Sequence, residues 1–292
     1  MASDFVNLAN ILIDGTLTGL VYGLMALGLS MIFGVARVVN FAHGEIMTAS
    51  MYATVVLFST LNLDPFLALA PIAILFFIAG YLLQGKIIQP FVERPDYSQF
   101  MLLLAVAVIL TNLLLILFGP DARSIRLDSL LASIEIGSVL IDRGKFYAAL
   151  VAVASSAALF IFIRFTRTGT AIRACADNHT GALVVGLDVR HLYALTFGLG
   201  AACVGAAGSM LVLIIDVTPP LGPQYTLLAF VIVIVGGLGS MPGALLGGVL
   251  IGMTEALAGL LFTPSAKSMF AFAILVLVLL FRPQGIMGKR AA

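Results

Sequence analysis

Long apolar stretches separated by short polar segments run along the whole sequence. A helix that crosses a lipid bilayer needs about 20 mostly apolar residues, and stretches near this length recur throughout. The pattern predicts an all-α integral membrane protein, a bundle of about 8–9 transmembrane helices with broken or re-entrant helices. Counting 227–239 as a re-entrant element reduces the number of crossings from nine to eight. The predicted spans are 9–33, 44–62, 66–84, 99–118, 146–163, 193–215, 227–239, 243–262 and 267–281.

Polar residues interrupt the apolar pattern at 34–43, where Asn40, His43 and Glu45 fall between two apolar runs. Broken backbone at membrane depth is tolerated only where it is buried in protein or lines a water-filled cavity. These three residues are therefore candidates for a substrate pathway beside a discontinuous helix. A polar loop at the cytoplasmic interface is an equal alternative.

A second interruption lies at 236–242, which is rich in glycine. Interrupted helices in corresponding places of two halves mark the substrate site in many transporters. Gly237 and Gly239 are therefore further pathway candidates, and the two interruptions form at most a weak pseudo-repeat. No GxxxxGK[ST] motif is present, so the sequence gives no indication of nucleotide binding by this chain.

Two acidic residues stand inside apolar runs: Glu255, well within its span, and Asp14, near the start of the first span. An isolated charge in lipid costs about 2.5–3.5 kcal/mol on insertion scales, so both should face the bundle interior or a cavity. A structural partner within the bundle is at least as consistent with the pattern as a substrate contact, and Glu255 is kept as a pathway candidate.

Composition agrees with a membrane protein, because 61% of the residues are hydrophobic, only 10% are charged and the mean hydropathy is +1.15. Soluble domains usually carry about 25% charged residues. The net charge of +1 decides nothing about a nucleic-acid partner, but the basic residues are scattered among loops rather than clustered on one face, so none is expected. Cys175 and Cys203 fit two small buried hydrophobes, and the three histidines have no metal-ligand spacing, so neither a metal nor a bound cofactor is expected.

Lysine and arginine concentrate in 85–98, in 164–192 and in the tail, which places these segments in the cytoplasm. The C-terminus is then cytoplasmic, and nine crossings put the N-terminus outside, whereas eight put it inside. The segment 119–145 faces the periplasm under this assignment. Within it, 133–141 predicts a short strand or hairpin, with an ordinary structured loop as the alternative, and an external partner could dock there.

The cytoplasmic segment 164–192 has helical spacing over 171–186, with Thr168 or Thr170 as a possible cap and Gly186 near the stop. An amphipathic helix of small residues suits a groove on a partner protein. An interfacial helix on anionic lipid fits the composition equally well. Its small-residue face comprises Ala171, Ala174, Cys175, Ala182, Leu183 and Gly186. Its polar contacts come from Arg167, Arg173, Asp177, Asn178 and His179.

Three stretches resemble the permease subunits of branched-chain amino acid ABC importers: 26–47, 168–211 and 219–257. The runs NFAHGE and RACADN followed by GLD are specific signals of this family. Order and spacing also match over most of the chain, so 1–292 is interpreted as a single transmembrane permease domain.

The resemblance implies a bacterial inner-membrane subunit that pairs with a second, homologous permease. It also implies two cytoplasmic ATPase subunits below and a periplasmic substrate-binding protein above. The segment 171–190 would be the coupling helix seated in an ATPase groove, and ATP would be bound by the partner subunits. No catalytic residue is expected, so the chain is not an enzyme. The EAA motif of other ABC importers does not occur here in its literal form. The residues that would contact the ATPase groove therefore stay open. The coupling residues implied are Arg167, Arg173, Ala174, Asp177, Asn178, Ala182 and Gly186.

Two other classes of protein are alternatives to an ABC permease. An ion-coupled transporter or channel for a small polar solute could use Glu45, His43 and Glu255 as a relay, without an ATPase partner. An intramembrane enzyme needs a nucleophile–base pair or a metal cluster, and neither is visible. Within the resembling family, branched-chain amino acids are the leading expectation for the substrate. Urea, amides and other amino acids are carried by relatives.

Overall fold

The computed structural model describes residues 2–92, 94–130, 132–137, 139–262 and 267–288, and the chain is almost entirely helical there. A π-helical turn at Leu83–Ile88 and a 3-10 turn at Gln89–Phe91 extend the third helix, and two further 3-10 turns lie at Asp128–Leu130 and Pro219–Leu221. The α-helices are α1 (Ala2–Ala36), α2 (His43–Leu61), α3 (Pro65–Leu82), α4 (Asp96–Phe118), α5 (Arg143–Phe165), α6 (Arg167–Asp177), α7 (His179–Val184), α8 (Val189–Leu211), α9 (Gly222–Gly236), α10 (Met241–Leu261) and α11 (Lys267–Phe281).

Eight of the described helical segments are long and apolar enough to cross a membrane, which confirms the predicted membrane bundle. The segment expected to be short, 227–239, is a full candidate span because α9 begins earlier and is preceded by a 3-10 turn, giving Pro219–Gly236. The short apolar helix is α11, with 15 residues. The predicted helices therefore exist, and the seventh becomes long enough to cross once the 3-10 turn that precedes α9 is included.

Helices α1 and α10 cross closely because glycines line both contact faces. A Cβ built on Gly19 would lie 2.6 Å from the Gly248 carbonyl oxygen, and one on Gly15 would lie 2.7 Å from that of Gly252. Small residues allow helix backbones to approach in lipid, where no hydrophobic effect drives helix association. The pair forms the most extensive helix–helix contact of the described structure.

Helix α8 lies at the centre of the bundle and packs against α1, α2 and α3. Its glycines again permit close approach, since a Cβ on Gly80 of α3 would lie 2.5 Å from the Ala201 side chain. The surrounding core is apolar and includes Leu24, Met47 and Phe197, all fully buried. By contrast few side chains of α3 and α4 are buried, which is expected of helices facing lipid or a partner.

The segment between α4 and α5 forms the predicted hairpin. Strand β1 (Ser133–Ile136) pairs antiparallel with β2 (Val139–Asp142), with Ile134 opposite Ile141. The hairpin lies beside the start of α1, where the Leu140 backbone N–H donates to Asn10 Oδ1 at 3.1 Å. The predicted strand pair is therefore confirmed, while docking of an external partner at this hairpin stays a prediction.

The opposite face of the bundle holds the end of α1, the α9–α10 turn and the C-terminal segment. The backbone N–H groups of Ile286 and Met287 donate to the carbonyls of Val235 and Gly236, each at 2.9 Å. These bonds satisfy two carbonyls that the end of a helix leaves without intrahelical partners. The start of α1 and the described C-terminal segment thus lie on opposite faces, and Lys289 and Arg290 lie outside the described residues.

Candidate functional site

The chain reverses direction after α1 and returns into the bundle before α2 begins. Arg37, the first residue after α1, has a φ of 54°, a conformation uncommon for non-glycine residues. His43, the first residue of α2, places its Nε2 2.9 Å from the Met25 carbonyl oxygen. Met25 lies about three turns, or roughly 16 Å, before the end of α1 at Ala36. Helix α2 therefore begins inside the bundle, which favours a discontinuous helix over an interfacial loop.

The first turn of α2 meets the N-terminal part of α9 through a buried polar group. The Gly44 backbone N–H donates to Thr226 Oγ1 at 2.8 Å, and the Thr226 hydroxyl donates to Glu45 Oε2 at 3.0 Å. Glu45 is only 3% exposed, and no ion pair is formed by it in the described part of the chain. Gly222 makes this approach possible, since a Cβ there would lie 2.8 Å from the Glu45 side chain.

Two further polar side chains at this break are buried with unused hydrogen-bonding atoms. Asn40 Oδ1 accepts from the Ala42 backbone N–H at 3.0 Å, whereas Asn40 Nδ2 and His43 Nδ1 have no partner among the described residues. Buried polar atoms are usually satisfied, and exceptions often mark functional positions. Asn40, His43 and Glu45 are therefore all buried at this break, and their place in a substrate pathway stays a prediction. No cluster of metal-binding side chains occurs in the described ranges.

Gly237 and Gly239 lie elsewhere, in the tight turn that joins α9 to α10. Both have positive φ, 108° and 78°, and a Cβ on Gly237 would lie 2.5 Å from the Gly288 nitrogen. The turn is about three helical turns along α9 from Thr226, roughly 16 Å. These glycines therefore shape a turn against the C-terminal segment rather than a site beside Glu45, although Gly239 packs against Gly34 at the start of the first interruption.

Glu255 belongs to a second polar group, formed with Tyr22 of α1 and Tyr225 of α9. The two tyrosine rings meet edge to face with centroids 6.0 Å apart, and Glu255 interacts with the Tyr22 hydroxyl. Tyr225 is the neighbour of Thr226, so α9 carries both polar groups on adjacent residues. Sequence reasoning missed Tyr22, Tyr225 and Thr226, because nothing in the local pattern distinguishes them from other residues of apolar helices.

Asp14 has a structural partner within the bundle. This was one of the two possibilities that the sequence left open, the other being a contact with substrate. Lys145 Nζ, at the start of α5, lies 2.6 Å from Asp14 Oδ1 and 2.7 Å from Oδ2. The pair lies on the same face of the bundle as the hairpin, because Lys145 follows β2 directly. Asp14 therefore contributes to joining α1 and α5.

The segment predicted as one helix over 171–186 is instead two short helices, α6 and α7. Asn178 ends α6 and caps α7, where its Oδ1 accepts from the Gly181 backbone N–H at 2.8 Å. The predicted caps Thr168 and Thr170 are wrong, since Thr166 Oγ1 accepts the Gly169 N–H at 2.9 Å. Asparagine and threonine compete well for backbone donors at helix starts, which explains both differences.

Exposure divides the predicted coupling residues into two groups. Arg167, Arg173, Ala174, Asp177, Asn178 and Gly186 are exposed, whereas Ala182 is buried and faces the bundle. We define the α7 tip as Leu183, Val184 and Val185; all three are exposed, Val184 by 82%. Gly186 ends this segment with a φ of 81°. The tip is an apolar projection on the face that also holds the end of α1.

Cys175 holds α6 against the bundle, since it is buried in α6 where that helix contacts α8. Burial raises the pKa of its thiol, and a hydrogen bond with Tyr193 opposes that shift. The prediction of a small buried hydrophobe therefore fits its position, with one polar contact in addition.

Taken together, these features define a polytopic membrane protein with a helix broken inside the bundle and short helices projecting from one face. Residues 11–279 match the family described as branched-chain amino acid transport system / permease component. The chain belongs to this family, and the resemblance found in the sequence is confirmed.

The alignments with two relatives span nearly the whole of this chain and of each relative. The high-affinity branched-chain amino acid transport system permease protein LivH of Salmonella typhimurium is 30% identical, covering 99% of this chain and 98% of the relative. BraD of Pseudomonas aeruginosa, with the same description, is 30% identical and covers 95% of each. A solved structure titled PsaBC from Streptococcus pneumoniae in complex with Fab aligns over 97% of both chains, at 16% identity and a TM-score of 0.48.

Proposed function

We propose that this chain is a translocation-pathway subunit of an ATP-driven ABC importer for branched-chain or other hydrophobic amino acids. It would act in a bacterial inner membrane with its C-terminus in the cytoplasm. A second homologous permease, two cytoplasmic ATPase subunits and a periplasmic substrate-binding protein would complete the transporter. Energy would come from ATP bound by the ATPase subunits, with no catalysis in this chain.

The α7 tip carries the proposal together with family membership. Three consecutive large apolar side chains project from a face that also holds Arg167 and Arg173, which are exposed. An apolar projection ringed by charge suits a groove on a water-soluble partner, because binding removes the apolar surface from water. An interfacial helix lying on anionic lipid is the alternative. It explains less well why the exposed apolar side chains of the α7 tip stand at the end of two capped helices.

The reversal of the chain between α1 and α2 is the segment that could change conformation between outward and inward access. Helix α2 begins inside the bundle at His43, next to the buried group of Glu45 and Thr226. Discontinuous helices with polar ends at membrane depth are found at substrate sites of transporters. We therefore keep Asn40, His43 and Glu45 as pathway candidates. Glu255 becomes a neighbouring candidate through Tyr225, while Gly237 and Gly239 are better explained as turn residues.

The decisive experiment is purification of the complex from its native membrane, with identification of co-purifying subunits. We expect a second related permease and two soluble ATPases with the unaltered chain. Val184→Glu should lose the ATPases, because it introduces a charge into the proposed groove contact. Leu140→Glu is the matched control, since Leu140 is an exposed apolar residue on the opposite face, in β2. Gly186→Trp is less informative, because a side chain at positive φ strains the backbone.

Recovery of the unaltered chain alone, in a detergent that keeps other ABC complexes intact, would overturn the proposal. Leucine uptake into proteoliposomes provides the second test. Uptake should require ATP and the ATPases and should persist when ionophores collapse ion gradients. Uptake that depends on an ion gradient instead would favour the ion-coupled class of transporter.

A further inference from the structure

A small apolar cavity lies between the last turns of α1, the reversal of the chain before α2, and α9. Its volume is about 190 Å³, and all the residues that line it are apolar. Helix α1 contributes Leu29 and Phe33, the reversal contributes Val39, and α9 contributes Phe230 and Val233 among others. An apolar cavity of about 150 Å³ already accommodates benzene, so a branched aliphatic side chain fits here.

The cavity lies one helical turn from the buried polar group at the start of α2. Leu29 follows Met25, whose carbonyl contacts His43, by four residues on α1. Phe230 follows Thr226 by four residues on α9. Residues four apart share one face of a helix and are separated by about 6 Å along its axis. Both helices therefore carry the polar group first and the cavity next, in the direction of the cytoplasm under the proposed orientation.

The polar group next to the cavity has hydrogen-bonding atoms that are not used. Asn40, which directly follows Val39 of the cavity wall, is fully buried, and its Nδ2 has no partner among the described residues. His43 Nδ1 is also buried without a partner there. Glu45 adds a buried carboxylate that forms no ion pair within the described ranges. Buried polar atoms usually have partners, so these groups indicate a ligand with a polar end.

The residues that line the cavity differ in exposure, which distinguishes its closed end from its open end. Leu29 and Val233 are buried, whereas Leu238, in the turn that joins α9 to α10, is 49% exposed. Next to Leu238 the turn packs against α1, since a Cβ on Gly34 would lie 3.1 Å from Gly239 Cα. The cavity therefore lies between the polar group and the cytoplasmic face, on the route that inward release requires.

We propose that this cavity is the subsite that receives the branched aliphatic side chain of the transported amino acid, while Asn40, His43 and Glu45 bind its charged end. This inference rests on the proposed function. A branched-chain amino acid carries an ammonium and a carboxylate at one end and an apolar side chain at the other, which matches a polar group beside an apolar cavity. A phospholipid acyl chain matches less well, because lipid headgroups lie at the membrane surface whereas this polar group is inside the bundle.

The test uses photo-leucine, a leucine analogue with a diazirine at the branch point of its side chain, and the complete transporter in proteoliposomes. Irradiation followed by mass spectrometry locates the residues that the side chain contacts. We expect adducts on the lining residues of α1, the reversal or α9, and excess leucine should prevent them. Adducts that form only elsewhere would overturn the inference. Labelling of the lining residues by a phospholipid with a diazirine in its acyl chain, undiminished by leucine, would also overturn it and identify a lipid site.

Two substitutions change the cavity in opposite directions. Val39→Phe fills it and should reduce the photo-leucine adduct about tenfold, the scale on which an apolar pocket discriminates one methylene group. Phe33→Ala enlarges it and should make phenylalanine a better competitor for the adduct, a gain that misfolding cannot produce. Both amino acids are supplied from the cytoplasmic side, so that the substrate-binding protein does not select between them. Val153→Phe is the matched control, because Val153 is an exposed residue of α5 outside the cavity.

The control should label as the unaltered transporter does. An equal loss with Val39→Phe and Val153→Phe, or unchanged competition by phenylalanine with Phe33→Ala, would overturn the inference. Normal ATP-driven leucine uptake combined with labelling that misses the cavity would refute the subsite alone. Leucine uptake that does not require ATP in the unaltered transporter would instead refute the proposed function, and that measurement needs neither a variant nor a label.

Discussion

Replacing Thr226 with valine should break the contact between the start of α2 and the start of α9. The substitution keeps the side chain's shape and removes its hydroxyl, which bonds the Gly44 N–H at 2.8 Å and Glu45 at 3.0 Å. Both partners would then be buried without that bond. A buried polar group left unpaired costs about 1–3 kcal/mol, so the two together cost about 2–6 kcal/mol.

The control is Thr196→Val in α8. Thr196 is fully buried like Thr226, but its hydroxyl bonds only the Leu192 carbonyl of its own helix, at 2.7 Å. That carbonyl keeps its backbone partner after the substitution, so the expected loss is below about 1 kcal/mol. The two variants therefore remove the same atom from equally buried sites with different consequences.

Thermal unfolding of the purified protein and uptake by the reconstituted transporter together measure the effect. Thr226→Val should lower the Tm by about 4 °C or more, since each kcal/mol shifts the Tm by about 2–4 °C in chains of about 150–250 residues. Uptake should fall as well, and Thr226→Ser should restore much of both. Equal effects of Thr226→Val and Thr196→Val would refute the assignment of a special role to this contact.

Three other perturbations test the remaining features. Gly19→Leu or Gly248→Leu should prevent the close crossing of α1 and α10 and reduce the yield of folded protein in membranes, whereas wild-type yield would show that the crossing is dispensable. Glu45→Ala should impair uptake more than Lys267→Ala, which changes a side chain at the exposed end of α11; equal and mild effects would place Glu45 outside the pathway. The rate of Cys175 alkylation should keep rising at pH values at which a free cysteine is already fully ionised, because burial raises the pKa of its thiol. A rate that levels off at the pH typical of a free cysteine would contradict that burial.

The positions of the membrane helices could be predicted from sequence because each depends on a local property, about 20 apolar residues in succession. The reversal at 34–43 was also visible, since polar residues there interrupt two apolar runs. The depth at which α2 begins could not be predicted from the sequence, because it depends on the contact of His43 with Met25. Likewise Thr226 and Glu45 are 181 residues apart, and no local pattern relates them.

In the segment 171–186, Asn178 is a local signal for the start of a second helix. An asparagine followed three residues later by a glycine, as at Asn178 and Gly181, fits a helix start and divides 171–186 in two. The exposure of Val184 and the burial of Ala182 follow from tertiary packing and lie beyond sequence reasoning. The ion pair of Asp14 with Lys145 is similar, because sequence indicated the need for a partner without identifying it.

The glycine-lined crossing of α1 and α10 also has a consequence for biosynthesis. Helix α1 leaves the ribosome before the other described helices, but the helix that completes its packing begins only at Met241. At translation rates of about 5–20 residues per second, α1 waits roughly 10–40 s in the membrane with its glycine face uncovered. The earliest helix is thus among the last to be finished. Chains that stop before Met241 should therefore be recognised and degraded as incomplete.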